Sequence, residues 1–378
     1  MSEYDSRLEK IRKAMEEKNV DSLVIFGNGY DAGDLVYVGN YIPFGRAAII
    51  LGKEGEPTML TDAFLHGEPI NSYIYTTWIR DLIPVHHDPK EFASELLNEV
   101  EKNNPKTVGV VGMDNLPMTI WNEISSVGAD KKFQWRDFWF DFSSVKSVRS
   151  SAEISLLREV GGITSKAMQE AVEATLEHKT EQEIAGIASK AMFDYGAHDR
   201  AFQTIVNGGP RGGLKHTFPS KRKIQDGDLV DLDLGAMKYG YQSDMSRSVV
   251  VGKANEDQKL VLNTVLKAYR TLSAMLRPGV RTSEILKRSI ELEEESGLRE
   301  KFHERIYLGF FVHHAIASSF HGFPSSGFPD TVLKAGMSFA FEPMAHILDF
   351  GTAVIEDDVL MTNDGVESLT PYALINWK

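Results

Sequence analysis

The 378-residue sequence contains no cysteine. That absence excludes a disulfide framework, thiolate metal ligands and a cysteine nucleophile. Any metal this chain holds is held by His, Asp and Glu, a donor set that favours Mn, Co, Fe or Zn over a thiolate-rich structural zinc site. Positive charge is also scarce: 41 Lys and Arg stand against 54 Asp and Glu, a formal net charge of −13. A nucleic-acid surface needs a basic patch, so no nucleic-acid partner is expected. The same balance fits acids gathered around cations, although an acidic surface alone gives the same number. No run approaches the ~18 apolar residues of a membrane span, so no membrane partner is expected. The N-terminal stretch MSEYDSRLEKIRKAMEEKNV is charged and amphipathic, without the apolar centre of a signal peptide. The expectation is a soluble cytoplasmic protein. Hydrophobic residues make up 42% and charged residues 25%, as in ordinary globular chains. The length predicts two domains.

Residues 5–18 read as a helix, with Leu8, Ile11 and Met15 on one face. Short apolar strands are expected at 21–27, 46–51, 57–61 and 107–112, with a helix at 89–103 before the last. This alternation predicts a small α/β domain over residues 1–146. It contains His66, His86 and His87. Neighbours on a strand point to opposite faces, so this set reads as structural or surface rather than as a metal site. The boundary falls at 145–150. Ser150 with Glu153, and Thr180 with Glu183, are capping-box patterns that start two helices, the first reaching about Leu176. Strand-like segments follow in the 200s, then a helix over 254–276 that stops at Pro278-Gly279 and another from Thr282. Three strand-like pieces close the chain, at 307–317, 337–345 and 352–362. Residues 147–378 therefore read as an α+β domain with helices, strands, helices and strands in turn.

The stretch DLVDLDLGAMKYGYQSDMSRSVVVG (228–252) reads as a hairpin turning at Lys238-Tyr239-Gly240. With the turn centred between Lys238 and Tyr239, Asp233 and Asp244 are direct cross-strand partners. Such partners have Cβ atoms roughly 4.5–5.5 Å apart. Two carboxylates at that spacing repel unless a cation sits between them. Taken alone, the hairpin suits a solvated turn as well as a ligand pair. Glu342 and Glu356 are placed the same way about Asp349, in the otherwise apolar strands FAFEP and AVIED. A charge in such a strand is rarely buried without a partner. Between the hairpins lies VHHAIASSFHGFP (312–324), where at most one of His313 and His314 faces a given site. His216 sits in the Gly-rich loop before the first hairpin. Four carboxylates and one imidazole suit two divalent ions, which together lower the pKa of a water and polarise a carbonyl.

This pattern resembles the creatinase/prolidase/methionine-aminopeptidase superfamily, whose catalytic domain has the "pita-bread" α+β fold. The residues follow that family's order: Asp233 in DLDLG, Asp244 in SDMSRS, His314 in HHAIA, Glu342 in FEP and Glu356 in IEDDV. The resemblance covers about residues 150–370. Residues 1–146 resemble, less specifically, the creatinase-type N-terminal domain of the aminopeptidase P and prolidase branch. The resemblance implies that Asp244 and Glu356 bridge two metals, Mn or Co before Fe or Zn. Asp233 completes one ion, and His314 with Glu342 the other. It further implies that Glu342 accepts the proton of the attacking water, that His216 and His321 hold the substrate carbonyl, and that the protein is a homodimer.

The sequence also departs from the family's pattern. Ala315, Ala317 and Gly322 replace usual neighbours of the histidines, and Val354 stands where an arginine commonly precedes the last metal glutamate. Asp231 is an additional acid on the face of Asp233. The leading expectation is a metallohydrolase that cleaves Xaa-Pro bonds in dipeptides or short peptides. Val354 and Asp231 suit a second reading, a creatinase-like C–N hydrolase or a lyase acting on a small non-peptide substrate. A third reading, from another class, is a binding module that has lost catalysis. Such relatives usually lose metal ligands, whereas this chain keeps all five.

Overall fold

The computed structural model describes residues 2–29, 31–61, 77–86, 88–214, 216–315 and 330–377. The chain divides into two compact units, Met1–Lys146 and Ser147–Lys378.

The first unit is built on a six-stranded sheet in the order Asp81–Pro84, Thr58–Thr61, Arg46–Gly52, Ser22–Asn28, Thr107–Val111, Gln134–Asp137. Ser22–Asn28 pairs antiparallel with Arg46–Gly52 and parallel with Thr107–Val111. Its sequence SLVIFGN is a continuous apolar run because both faces are covered. Leu23 and Ile25 pack with Leu8, Ile11, Met15 and Phe142. Val24 and Phe26 pack on the other side with Phe92, Leu96 and Ile120. The first helix is Glu3–Glu17, starting earlier than its apolar face suggests. Its capping box is Ser2 with Asp5, each side chain bonding the other's backbone N–H. His86 lies on the surface against Glu91, at 2.9 Å. His66 and His87 lie outside the described residues.

In the second unit, helices Ser151–Leu176 and Glu181–Asp194 both begin at the predicted capping boxes. They cover a sheet of Ile205–Gly208, Leu229–Leu234 and Met245–Val250, through a core that includes Met168, Ala171, Ile184, Val230 and Val249. Helices Glu256–Ser273 and Thr282–Glu295 pack with the C-terminal strands through Val261, Val265, Leu272, Phe341 and Ala345. The three expected C-terminal strands are each broken. Ile306–Gly309 is separate from His313–Ala315, Ser338–Phe341 from Met344–Ile347, and Gly351–Val354 from Asp357–Met361. The halves belong to two different sheets.

The Glu342/Glu356 register is as the spacing predicts. Phe341 pairs with Asp357 on one side of the break and Met344 with Val354 on the other, which leaves Glu342 opposite Glu356. The Asp233/Asp244 register is not. Asp233 pairs with Ser246, and Lys238 with Tyr241. The turn is centred one residue later, between Tyr239 and Gly240, both at positive φ (52° and 77°). A two-residue hairpin turn of this kind needs both central residues there, and glycine at the second is the residue that permits it. Shifting the centre by one residue moves every partner by two, so the two aspartates stay on one face as diagonal neighbours.

Candidate metal centre and active site

Asp244, Glu342 and Glu356 sit where their strand ladders break, whereas Asp233 lies within the ladder of Leu229–Leu234, paired with Ser246 and Ile205. Backbone donors freed there reach across to other elements. Glu356 N–H donates to Ser246 O at 3.0 Å and Glu342 N–H to Val312 O at 2.9 Å. Asp244 N–H donates to the Asp358 carboxylate at 2.9 Å. Pro343 has no N–H to continue the ladder, which suits a strand that changes sheets beside Glu342.

All five residues of the predicted ligand set, Asp233, Asp244, His314, Glu342 and Glu356, line one cavity of about 520 Å³. His216 lines it too, and Phe202, Ile205 and Val312 give it an apolar wall. Asp244, His314 and Glu356 form its tightest group, each with one ligand atom within 4.8 Å of the others. His314 Nε2 lies 3.2 Å from Glu356 Oε1 and 3.5 Å from Asp244 Oδ2. Asp233 and Glu342 stand outside that tight group. His216 is held at φ 54°, in the left-handed region that few non-glycine residues adopt. His321 lies outside the described residues.

The electrostatics of this cluster call for a cation. Burial, then the charges of Glu356, Asp233, Asp358 and Glu342, push the Asp244 carboxyl well above the usual carboxylate range. Its Oδ1 is buried without a hydrogen-bond partner. Burial raises Asp358 as well; the Asp244 N–H opposes that shift, and Glu356 and Asp357 add to it. Protons or metal ions relieve such crowding, and four carboxylates with one imidazole suit hard or borderline divalent ions. The residues present therefore fit a divalent-metal site.

Several supporting residues were not singled out from the sequence. Ser246 Oγ donates to Glu356 Oε2 at 2.7 Å. Arg247 is completely buried and donates to Ser246 O at 2.9 Å, Glu356 O at 2.6 Å, Asp357 Oδ1 at 2.7 Å and Ala373 O at 3.0 Å. Tyr269 O–H donates to the other oxygen of Asp357. The signal available was an arginine within the short strand-like run MSRSVV, between two small residues, which a buried strand does not keep without partners. Asp231 is buried opposite Asn207 and Ser248 and is not among the described residues lining the cavity. Val354 is buried opposite Met344.

Comparison with known proteins agrees with this geometry. The model of metallopeptidase family M24 matches residues 155–363, and that of the creatinase/prolidase N-terminal domain matches residues 7–137. The chain is 31% identical over 369 residues to the Xaa-Pro dipeptidase of Pyrococcus furiosus, covering 96% of this chain and 97% of that protein. It is 28% identical to the Xaa-Pro dipeptidase of Pyrococcus horikoshii, covering 98% of each. The solved prolidase from Pyrococcus horikoshii superposes with a TM-score of 0.80 at 26% identity, covering 98% of this chain and 100% of that one. No described helix is long and apolar enough to cross a membrane. With a creatinase-type domain ahead of a pita-bread domain, the chain belongs to metallopeptidase family M24.

Proposed function

We propose that this chain is an Xaa-Pro dipeptidase that hydrolyses the bond before proline in dipeptides or short peptides, using two divalent metal ions. The observation that carries the proposal is the convergence of Asp233, Asp244, His314, Glu342, Glu356 and His216 on one cavity with an apolar wall. Asp233, Asp244, His314, Glu342 and Glu356 would hold the ions, with the buried Asp244 and Glu356 grouped closely with His314. Mn or Co suits this set, and a homodimer is the working unit that the family resemblance implies. The metals supply Lewis acidity, lowering the pKa of a water and polarising the carbonyl.

The protein's own groups do the rest. Glu342 is assigned to accept the proton released by the attacking water and to pass it to the departing proline nitrogen. That nitrogen, like any amide nitrogen, leaves as an amine only when a proton is delivered to it. His216 donates an N–H to the carbonyl oxygen as negative charge develops there, and His321 is assigned the same task. Phe202, Ile205 and Val312 offer apolar surface to the pyrrolidine ring.

The test is a substrate panel of Xaa-Pro dipeptides, longer Xaa-Pro peptides and betaine- or guanidino-type compounds. It is run with Mn, Co, Fe and Zn on the wild type and on Glu342→Gln. Xaa-Pro cleavage that needs added metal, and falls about 10²–10⁴-fold in Glu342→Gln, is expected. Absence of Xaa-Pro cleavage under every metal overturns the proposal.

A further inference from the structure

We infer that Glu181 is a positioning residue for His216: its buried carboxylate closes the 208–220 loop and fixes the imidazole at the cavity wall. The inference rests on the role given to His216 above.

Glu181 is the first residue of helix Glu181–Asp194 and is 0% exposed. Acids are common in a first helical turn because the macrodipole favours them. That explains an exposed acid such as Glu183, two residues on, but not complete burial. A carboxylate at such a place needs hydrogen-bond partners, and among the described residues Glu181 takes its side-chain partners from the His216 loop. Oε1 accepts the Gly208 N–H at 3.0 Å. Oε2 accepts the Ser220 N–H at 2.8 Å, the Ser220 hydroxyl at 2.6 Å and Arg211 Nε at 3.1 Å. One carboxylate therefore binds both ends of the loop and its only described arginine.

A second set of ties brackets His216 more closely. Asn207, also buried, donates to Leu214 O at 3.0 Å and accepts the Thr217 hydroxyl at 2.5 Å. Arg211, anchored by Glu181, reaches Phe218 O at 3.0 Å. A left-handed non-glycine residue persists where its surroundings over-determine it, and these bonds supply the constraint on both sides. Charge-assisted bonds are the stronger members, so the Glu181 ties dominate. No metal-ligand residue takes part in them, so the predicted effect is on carbonyl recognition and not on metal retention.

The experiment is a double-mutant cycle between Glu181→Gln and His216→Ala, measured on the metal-loaded full chain with metal stoichiometry as a parallel readout. The glutamine keeps the volume but replaces an acceptor by a donor among N–H groups. Misplacing a catalytic group by about 1 Å can cost ~10²-fold, so Glu181→Gln lowers kcat roughly 10–100-fold while both variants retain their metal. In the His216→Ala background the same change costs no more than about twofold, because what it positions is gone. Ser220→Ala removes one donor and leaves the backbone ties. It gives an intermediate loss with the same non-additivity, and it carries the cycle if Glu181→Gln does not fold. Additive losses, or loss of metal in Glu181→Gln, overturn the positioning role. Wild-type activity in His216→Ala instead removes the role of His216 itself, an outcome distinct from additivity.

Discussion

The two hairpins that bring acids to the cavity are built on the same plan with different precision. In the glutamate hairpin the acids are directly opposed, on strands that keep one register through both sheets. In the aspartate hairpin they are diagonal, and Asp233 faces Ser246. The difference lies in the turns. The glutamate hairpin turns over an odd loop centred on Asp349, itself at φ 60°. The aspartate hairpin turns over two residues, and nothing about the acids themselves fixes which two. Face follows from the period of two along a strand, whereas register follows from the turn. A cavity needs its ligands on one face first, so both hairpins deliver acids to it.

The comparison predicts unequal roles. Glu356 is buried, opposed to Glu342 and close to His314, whereas Asp233 stands outside the tight group. Glu356→Gln is expected to lose both metals. Activity should fall by at least roughly 10³-fold, given that such ions supply several kcal/mol of transition-state stabilisation. Asp233→Asn should keep one tightly bound ion per chain and lose the second. Metal content after dialysis, followed by titration calorimetry, checks both. Equal loss in the two variants would remove the distinction between the hairpins.

A smaller effect tests how the hairpins are joined. Ser246, on the aspartate hairpin, donates to Glu356 on the other. Outer-shell bonds of this type are typically worth about 10–100-fold in metal affinity, so Ser246→Ala should weaken binding by about that factor without unfolding the chain. Ser246→Thr keeps the hydroxyl and should restore most of it. An unchanged affinity in Ser246→Ala would mean that backbone ties alone align the glutamate.

The raised Asp244 carboxyl gives a prediction about stability. A carboxyl whose folded pKa lies above its unfolded value holds its proton longer in the folded state. In the metal-free protein its contribution to stability is therefore lost as pH rises from the ordinary carboxylate range through the folded pKa. Metal-free Asp244→Asn should consequently melt higher than the metal-free wild type at neutral pH, and the gap should close as pH falls towards about 4. Adding metal should reverse the order. Calorimetric melting across pH decides it, and a wild type that melts higher at neutral pH without metal would show that the cluster is not frustrated.

Much of this was legible in the sequence because the signals are local. Ser150 with Glu153 and Thr180 with Glu183 name their helix starts by side-chain chemistry. The four candidate carboxylates stand out by their placement about two turns, whereas His314 is singled out from His313 only by the family resemblance; the five line one cavity. What was not legible depends on partners far along the chain. Arg247 becomes intelligible only once Glu356, Asp357 and Ala373 surround it. Glu181 reads as an ordinary first-turn acid until the loop folds over it. The helix Gly33–Gly39 has no side-chain cap and so gave no start signal. The C-terminal strands read as continuous because their breaks, at Phe310-Phe311-Val312, Glu342-Pro343 and Ile355-Glu356, are two or three residues long and interrupt the apolar runs little or not at all.

The smallest predicted effect bears on the turn that moved the register. Gly240→Ala places a Cβ at φ 77°, where an L-residue costs roughly 1–2 kcal/mol. For a unit of this size each kcal/mol corresponds to about 2–4 °C in Tm, so a drop of that order or somewhat more is expected. Asp349→Gly in the other hairpin relieves a similar conformation but loosens the unfolded chain, and the two effects should nearly cancel. Metal affinity should not change in Gly240→Ala. Asp244 is anchored by its N–H on Asp358, and the ladder from Leu229 to Leu234 holds Asp233, both independently of the turn. If affinity falls together with Tm, the turn sets the spacing of the two aspartates as well as their partners. The aspartate hairpin would then be the adjustable half of the site, and the directly opposed glutamates its fixed half.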